Sequence, residues 1–274
     1  MMIPSIKNCV VFATLLVATP TWAQRSYLRA DGNSGNTYNL LDSFLGGTAY
    51  EVPDCAHSQP HITQQTDTEL GVPIFNFAAH VASDNDRCQN FDRQRTEIKT
   101  YNPSPAQFKC SSGESVSYSW DLRLNSAFQP STAFTHIFQV KAVGGDESMP
   151  FITISPRLKS SGAKVLQIMY AGQDSVQTAI WEEDLAKFAG KWIHIVTEYT
   201  CRLGGTFSLR IKNKITEEQL MSMTNNNLDM WRSGNTFLRP KWGIYRSLND
   251  RGNLRDEFVY FNNFCLAKGE PKCT

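Results

Sequence analysis

Apolar and polar positions alternate along most of this chain. The runs "VPIFNFAAHV", "SVSYSWDLRL", "TAFTHIFQVKAV", "PFITISPRL", "KVLQIMYA", "KWIHIVTEYTC", "TFSLRIKN", "KWGIYRS" and "EFVYFNNFCL" are rich in β-branched and aromatic residues and are bounded by Gly, Pro, Asn and Ser clusters, the signature of short strands separated by turns. Two segments, "EEDLAKF" and "TEEQLMSMT", read as short helices. Many strands at turn-punctuated spacing predict an all-β chain, a concanavalin-like jelly-roll β-sandwich with one concave sheet face. No Pro/Gly/Ser-rich linker or internal repeat divides residues 24–274, which are expected to form one domain.

The first 23 residues break this pattern. Lys7 precedes the apolar run "CVVFATLLVA", and small residues around "TPTWA" offer a cleavage point after Ala23, as in a signal peptide covering residues 1–23. The run is too short to span a bilayer, and no later stretch is longer. A secreted, extracellular protein with no membrane partner is expected. Cys9 leaves with the signal, and Cys55, Cys88, Cys110, Cys201, Cys265 and Cys273 remain, an even number suited to an oxidising compartment. Cys55–Cys88 is the favoured pair; spacing does not choose among the other pairings, and none of the cysteines has zinc-ligand spacing.

The full chain carries 27 basic and 26 acidic residues. Loss of Lys7 makes the mature charge near zero, so attraction for an anionic partner must come from a local cluster rather than a global field. Nucleic acid is not an expected partner, and a monomer is expected.

Strand alternation locates such a cluster. In "RQRTEIK", Arg93, Arg95, Glu97 and Lys99 point to one face, and Gln94, Thr96 and Ile98 to the other. In "HIFQVK", Phe138 and Val140 mark the core side, which leaves Gln139 and Lys141 on the opposite face. His136 falls on the Phe138 side and is expected to be a core histidine. In "KWGIYR", Lys241, Gly243 and Tyr245 share one face, with Gly243 leaving room for a close-approaching ligand. Three strands thus present polar sets of the same chemistry.

"RTEIK", "QVK" and "KWGIY" resemble the three strand motifs Arg-Ser/Thr-Glu-Leu-Arg, Gln-Ile-His and Lys-x-Gly-x-Tyr of jelly-roll polysaccharide lyases that act on uronic acids. "EVPDC", "DNDR" and "FTHIFQVK" extend the likeness over most of residues 38 to 266. The chain is most similar to the fungal glucuronan lyase family and is also similar to heparin-lyase-type and alginate-lyase jelly rolls. It departs from the alginate-lyase motif at Lys141, which stands where that motif has histidine.

The resemblance implies β-elimination on an acidic polysaccharide. Removing the C5 proton of a 4-linked uronide requires neutralisation of the adjacent carboxylate, and charge that develops in the transition state must be stabilised. Arg95 and Gln139 are the expected carboxylate partners, with Arg93, Glu97, Lys99, Lys141 and Lys241 lining the substrate groove and Glu97 orienting Arg95. Tyr245, favoured as phenolate by nearby cations, is the expected proton carrier. His80, between a strand and the polar loop "SDNDR", is the expected partner base, and "PHI" around His61 is placed at the rim. No carboxylate pair of the kind a glycosidase needs lies on a common strand face.

Polyglucuronate is the expected substrate of an endo-acting lyase, with alginate or another uronan as the nearest competitor and non-catalytic carbohydrate binding as the alternative from a different class. No cofactor is needed for this chemistry. A structural calcium, with Glu51 and Asp256 as oxygen ligands, is the one expected metal.

Overall fold

The computed structural model describes residues 25–55 and 58–274, so the expected signal peptide and His57 lie outside the described residues. Numbered in chain order, one sheet contains β1 (Ser26–Leu28), β3 (Ile62–Thr66), β4 (Pro73–Ala79), β6 (Ser115–Leu124), β11 (Ile193–Thr200), β12 (Gly205–Asn213), β13 (Gln219–Leu228) and β15 (Glu257–Lys268). The other contains β2 (Tyr50–Glu51), β5 (Arg93–Lys99), β7 (Thr135–Val143), β8 (Ile152–Leu158), β9 (Lys164–Tyr170), β10 (Thr178–Asp184) and β14 (Phe237–Ser247). The first sheet runs β13-β12-β11-β6-β15-β4-β3, with β1 also paired to β15, and the second runs β10-β9-β8-β7-β14-β5-β2. The jelly-roll sandwich is therefore as expected.

Alternating apolar residues from both sheets fill the space between them. Trp120 of β6 stacks on Phe138 of β7 with ring centroids 4.5 Å apart, and Trp242 of β14 meets Phe264 of β15 at 5.3 Å. All four rings are fully buried, and burying a side chain such as Phe138 contributes roughly 1.5–3 kcal/mol. Cys55–Cys88 forms as favoured, alongside Cys110–Cys201 and Cys265–Cys273.

The two expected helices are corrected. "TEEQLMSMT" lies largely in β13, where Met221 pairs with Ile211 and Met223 with Leu209 of β12; an available strand edge outweighs the modest helix preference of Glu, Gln, Leu and Met. "EEDLAKF" ends β10 and forms a single 3-10 turn at Leu185–Lys187, with the Asp184 carboxylate accepting from Ala186 N–H. The described α-helix is instead α1 (Thr37–Leu45), which buries Thr37, Leu41 and Leu45 on one stripe.

A bulge between β7 and β14 changes the face assignment around the candidate site. Trp242 pairs with Phe138 and Tyr245 with His136, so Gly243 and Ile244 together oppose Ile137. Ile137 and Phe138 consequently both enter the core. His136 is turned onto the side of Tyr245, which corrects its expected core placement.

Gly243 makes this possible for a reason other than ligand space. Its φ is +146°, and a Cβ there would lie 2.1 Å from Thr96 O and 2.6 Å from the Glu97 Cα, so the missing side chain lets β14 approach β5. Gly243→Ala should lower stability by more than the ~1–3 kcal/mol of a strained backbone residue alone. An unchanged denaturant midpoint would contradict this reading.

Candidate active site

The face of the second sheet that points away from the core carries the expected motifs. Across β5 and β14, Tyr245 is opposite Arg95, Gly243 opposite Glu97, and Lys241 opposite Lys99; across β14 and β7, Lys241 is opposite Gln139. Pairing of Gln139 with Thr153 and of Ser155 with Gln167 continues the polar surface over β8 and β9. Thr153, Ser155, Arg157 and Gln167 were not expected at the site, although Thr153, Ser155 and Arg157 alternate with Ile152 and Ile154 in "ITISPRL" and were legible in that pattern.

The centre of this face is a buried charge network. Lys241 Nζ lies 2.5 Å from Glu51 Oε2 and 2.7 Å from Glu97 Oε2. Arg95 Nη1 donates to Glu97 Oε2 at 3.0 Å and Glu51 Oε2 at 3.2 Å, while Nε and Nη2 donate to the two oxygens of Asp86 at 2.9 and 3.2 Å. The fork of Arg95 that would meet a substrate carboxylate therefore already holds Asp86. Gln139 Nε2 donates to Glu97 Oε1 at 2.5 Å. Arg95, Gln139, Glu97 and Lys241 are all less than one-tenth exposed, so this strand face is neither a solvated surface nor an open set of substrate contacts.

Glu51 is corrected as a calcium ligand. Besides Lys241 and Arg95, it meets Lys99 Nζ at 2.8 Å and Arg87 Nη1 at 3.2 Å, a setting that repels a divalent cation. Asp256 is elsewhere, accepting from Val81 N–H at 2.7 Å just ahead of β15, so the expected pair is not assembled.

Burial would raise the Glu51 carboxyl, but Lys241, Arg95 and Lys99 outweigh it and hold the group well below the carboxylate range. Asp86 is likewise lowered, with Arg95 and Arg87 overcoming burial. In the unfolded chain such groups take up protons near pH ~4, whereas the folded protein keeps them ionised to lower pH. Their stabilising contribution is thus complete above about pH 5 and lost as pH falls below about 4. The thermal midpoint should fall steeply from pH 5 to pH 3, and less steeply in Glu51→Gln; a flat wild-type midpoint over that range would contradict the network's role.

Tyr245 stands at the edge of the network, half-buried. The Arg95 guanidinium lies 3.7 Å from its ring centroid, and Arg93 Nη1 donates to its Oη at 3.1 Å. The ring thus rests on one guanidinium, and its oxygen accepts from another. Both interactions suit an oxygen that takes on negative charge.

His136 Nδ1 is 2.9 Å from Ser155 Oγ, and its ring centroid is 6.0 Å from that of Tyr245. Burial and the surrounding Arg157, Arg95, Lys141 and Lys241 push its pKa down to about 3. It is a neutral imidazole at neutral pH, available for hydrogen bonding but a weak base. Period-two reading missed it because the bulge shifts the alternation.

Lys141 is half-buried, and burial, Arg95 and Arg239 lower its pKa. Arg157 and Arg239 donate to the Thr132 and Thr100 carbonyls at 2.9 and 3.0 Å. These three cations add positive charge around a network whose own carboxylates are already occupied.

His80 is not gathered into this group. It follows β4 in the other sheet, with its ring 5.3 Å from that of His61 and 6.3 Å from that of Phe258. Its Nδ1 is 3.2 Å from Asp84 Oδ2. The carbonyl of His80 accepts from Gln94, on the inward face of β5. Tyr245, Arg93, Arg95, Glu97, Lys99, Gln139, Lys141 and Lys241 are brought together; His80 and Asp256 stand apart from them.

The polysaccharide lyase family profile matches residues 47–265. No curated protein matches the chain. Among solved structures, the endo-β-1,4-glucuronan lyase from the fungus Trichoderma reesei superposes with a TM-score of 0.55 at 15% identity, over 88% of this chain and 94% of that one. The marine alginate lyase from Aplysia kurodai gives 0.59 at 15% identity, over 88% and 97%. A family 7 alginate lyase in complex with substrate gives 0.54 at 11% identity, over 82% and 94%. At these identities the structural likeness bears on the fold. The family match spans every strand of the groove from β2 to β14, and on that ground this chain belongs to the polysaccharide lyase family.

Proposed function

We propose that the protein is a secreted, endo-acting lyase that cleaves β-1,4-linked polyglucuronate by β-elimination. The observation that carries this reading is the position of Tyr245, with its oxygen on Arg93 and its ring on Arg95, beside a basic strand face. In a 4-linked uronide of gluco configuration, C5–H and the C4–O bond lie on the same side of the ring. One group can therefore serve both ends of the elimination. Tyr245, as phenolate, takes the C5 proton; the electron pair forms the C4–C5 double bond as the C4–O bond breaks; and the same hydroxyl returns the proton to the departing oxygen.

Lys141 is the proposed partner of the C5 carboxylate. Arg95, already held by Asp86, Glu97 and Glu51, acts instead as the bed on which the Tyr245 ring lies. Gln139 and Glu97 keep Arg95 and Lys241 in register. His136 is the proposed hydrogen-bonding neighbour of the sugar. His80, just past the end of β4 in the other sheet, has no part in this scheme, and the proposed route passes through no metal.

Substrate follows from stereochemistry. Mannuronate shares the C5/C4 relation of glucuronate, whereas guluronate and galacturonate place the two bonds on opposite sides and call for a base across the ring. Incubation with glucuronan, mannuronate-rich and guluronate-rich alginate, heparin and pectate, followed by ultraviolet absorbance of unsaturated ends, tests the reading. The fastest initial rate is expected on glucuronan, with guluronate-rich alginate and pectate slow. A preference for either of the last two would overturn it.

A further inference from the structure

A second cluster, outside the groove, has the chemistry of a metal centre. His61 lies immediately before β3, His80 immediately after β4, and Asp84 in the loop that follows. His61 Nε2 is 3.1 Å from Asp84 Oδ1, and His80 Nδ1 is 3.2 Å from Asp84 Oδ2. One ligand atom from each of the three residues falls within 4.8 Å of the others. Tetrahedral zinc with bonds of ~2.0–2.1 Å places neighbouring ligand atoms about 3.3 Å apart; each imidazole already stands at about that distance from an oxygen of Asp84, and the set of three would draw in from its 4.8 Å span to close on one ion.

The surroundings orient these ligands. His61 Nδ1 lies 2.6 Å from Asp54 Oδ1, and Asp54 in turn accepts from Tyr38 Oη at 2.5 Å and from His61 N–H at 3.1 Å. The Asp54 contact at Nδ1 fixes the ring so that Nε2 faces the Asp84 carboxylate, where an ion would take the place of a proton on Nε2, the carboxylate–histidine arrangement that orients a metal-ligating imidazole. Asp84 is held by the His80 N–H at 2.6 Å. The Cys55–Cys88 disulfide joins the loop of Asp54 to the loop of Asp84. His61 and Asp84 are buried, whereas the His80 side chain is 35% exposed, which gives an ion a way in and leaves a position for water.

We propose that His61 Nε2, His80 Nδ1 and an Asp84 oxygen form a binding site for a divalent transition metal, with zinc as the ion and Asp54 as the group that orients His61. Two imidazoles and one carboxylate favour zinc over calcium, which takes six to eight oxygens. The site is structural. Asp84 is two residues from Asp86, the bidentate partner of Arg95, so the ion would fasten the loop that supports the groove from the side. This assignment is independent of the proposed substrate.

The test uses the untagged, chelator-stripped full chain. Titration with Co²⁺ should give one equivalent with the intense visible bands of four-coordinate cobalt, and Zn²⁺ should displace it and raise the thermal midpoint. His80→Ala removes a partly exposed ligand and should abolish both the bands and the zinc-dependent midpoint shift while the near-ultraviolet circular dichroism stays native. Asp54→Asn should weaken zinc by about 10–100-fold. Absence of a stoichiometric cobalt spectrum in the wild-type protein would overturn the site without recourse to any variant. So would equal zinc affinity in wild type and His80→Ala, or a midpoint that responds to Ca²⁺ and not to Zn²⁺.

Discussion

Tyr245→Phe should lower turnover on glucuronan by at least about 100-fold, the usual scale of losing a general acid–base group. The expected losses divide cleanly between binding and chemistry. Phe keeps the ring that lies 3.7 Å from the Arg95 guanidinium, so strand packing and the cation–π contact survive, and substrate affinity measured by calorimetry should change little. Only the oxygen that accepts from Arg93 is lost. A folded Tyr245→Phe enzyme that cleaves at near wild-type rate would remove Tyr245 from the mechanism, and His136, on the same face, would be the next group to replace.

Arg95 should give the second large effect, in stability as well as rate. Its guanidinium binds Asp86 through two N–H groups and reaches Glu97 and Glu51 through a third position. Arg95→Met leaves buried carboxylates without that cation. The cost should be about 3–5 kcal/mol, as for other buried ion pairs broken on one side, read as a lower denaturant midpoint. Arg95→Lys restores the charge and should recover part of that loss. Lysine has neither the planar fork for Asp86 nor the flat surface beneath the Tyr245 ring, so turnover should stay at least tenfold down, a difference of about 1.4 kcal/mol in the barrier. Recovery of full activity in Arg95→Lys would show that charge alone suffices there.

Strand alternation was enough to place Arg95, Glu97, Lys99, Gln139, Lys141, Lys241 and Tyr245 on one sheet face, because period two is a local property and the three motifs each keep it. The register Tyr245–Arg95 and Lys241–Gln139 then brings them together. His136 was misplaced because a bulge is a property of two paired strands, and its one sequence sign, Gly243, has a simpler reading as room for a ligand. Glu51 and Asp86 were not expected in the network since they reach Arg95 from 44 and 9 residues away, and no periodicity links such positions. Arg95 illustrates the same limit: its face was legible, but the carboxylate that already occupies its fork was not. β13 shows that helix preference yields to a free strand edge, and α1 was overlooked because three buried positions in "TYNLLDSFL" give too short a stripe to stand out.

Mass analysis of glucuronan digested by wild-type and Tyr245→Phe protein tests the central claim most directly. Elimination at Tyr245 predicts that wild-type fragments appear in pairs, one saturated and one carrying a C4–C5 double bond at its new non-reducing end and lighter by one water than the hydrolysis product. In Tyr245→Phe both fragments should fall together by about 100-fold or more. Fully saturated fragments from the wild-type protein, or unsaturated fragments at undiminished rate from Tyr245→Phe, would contradict it.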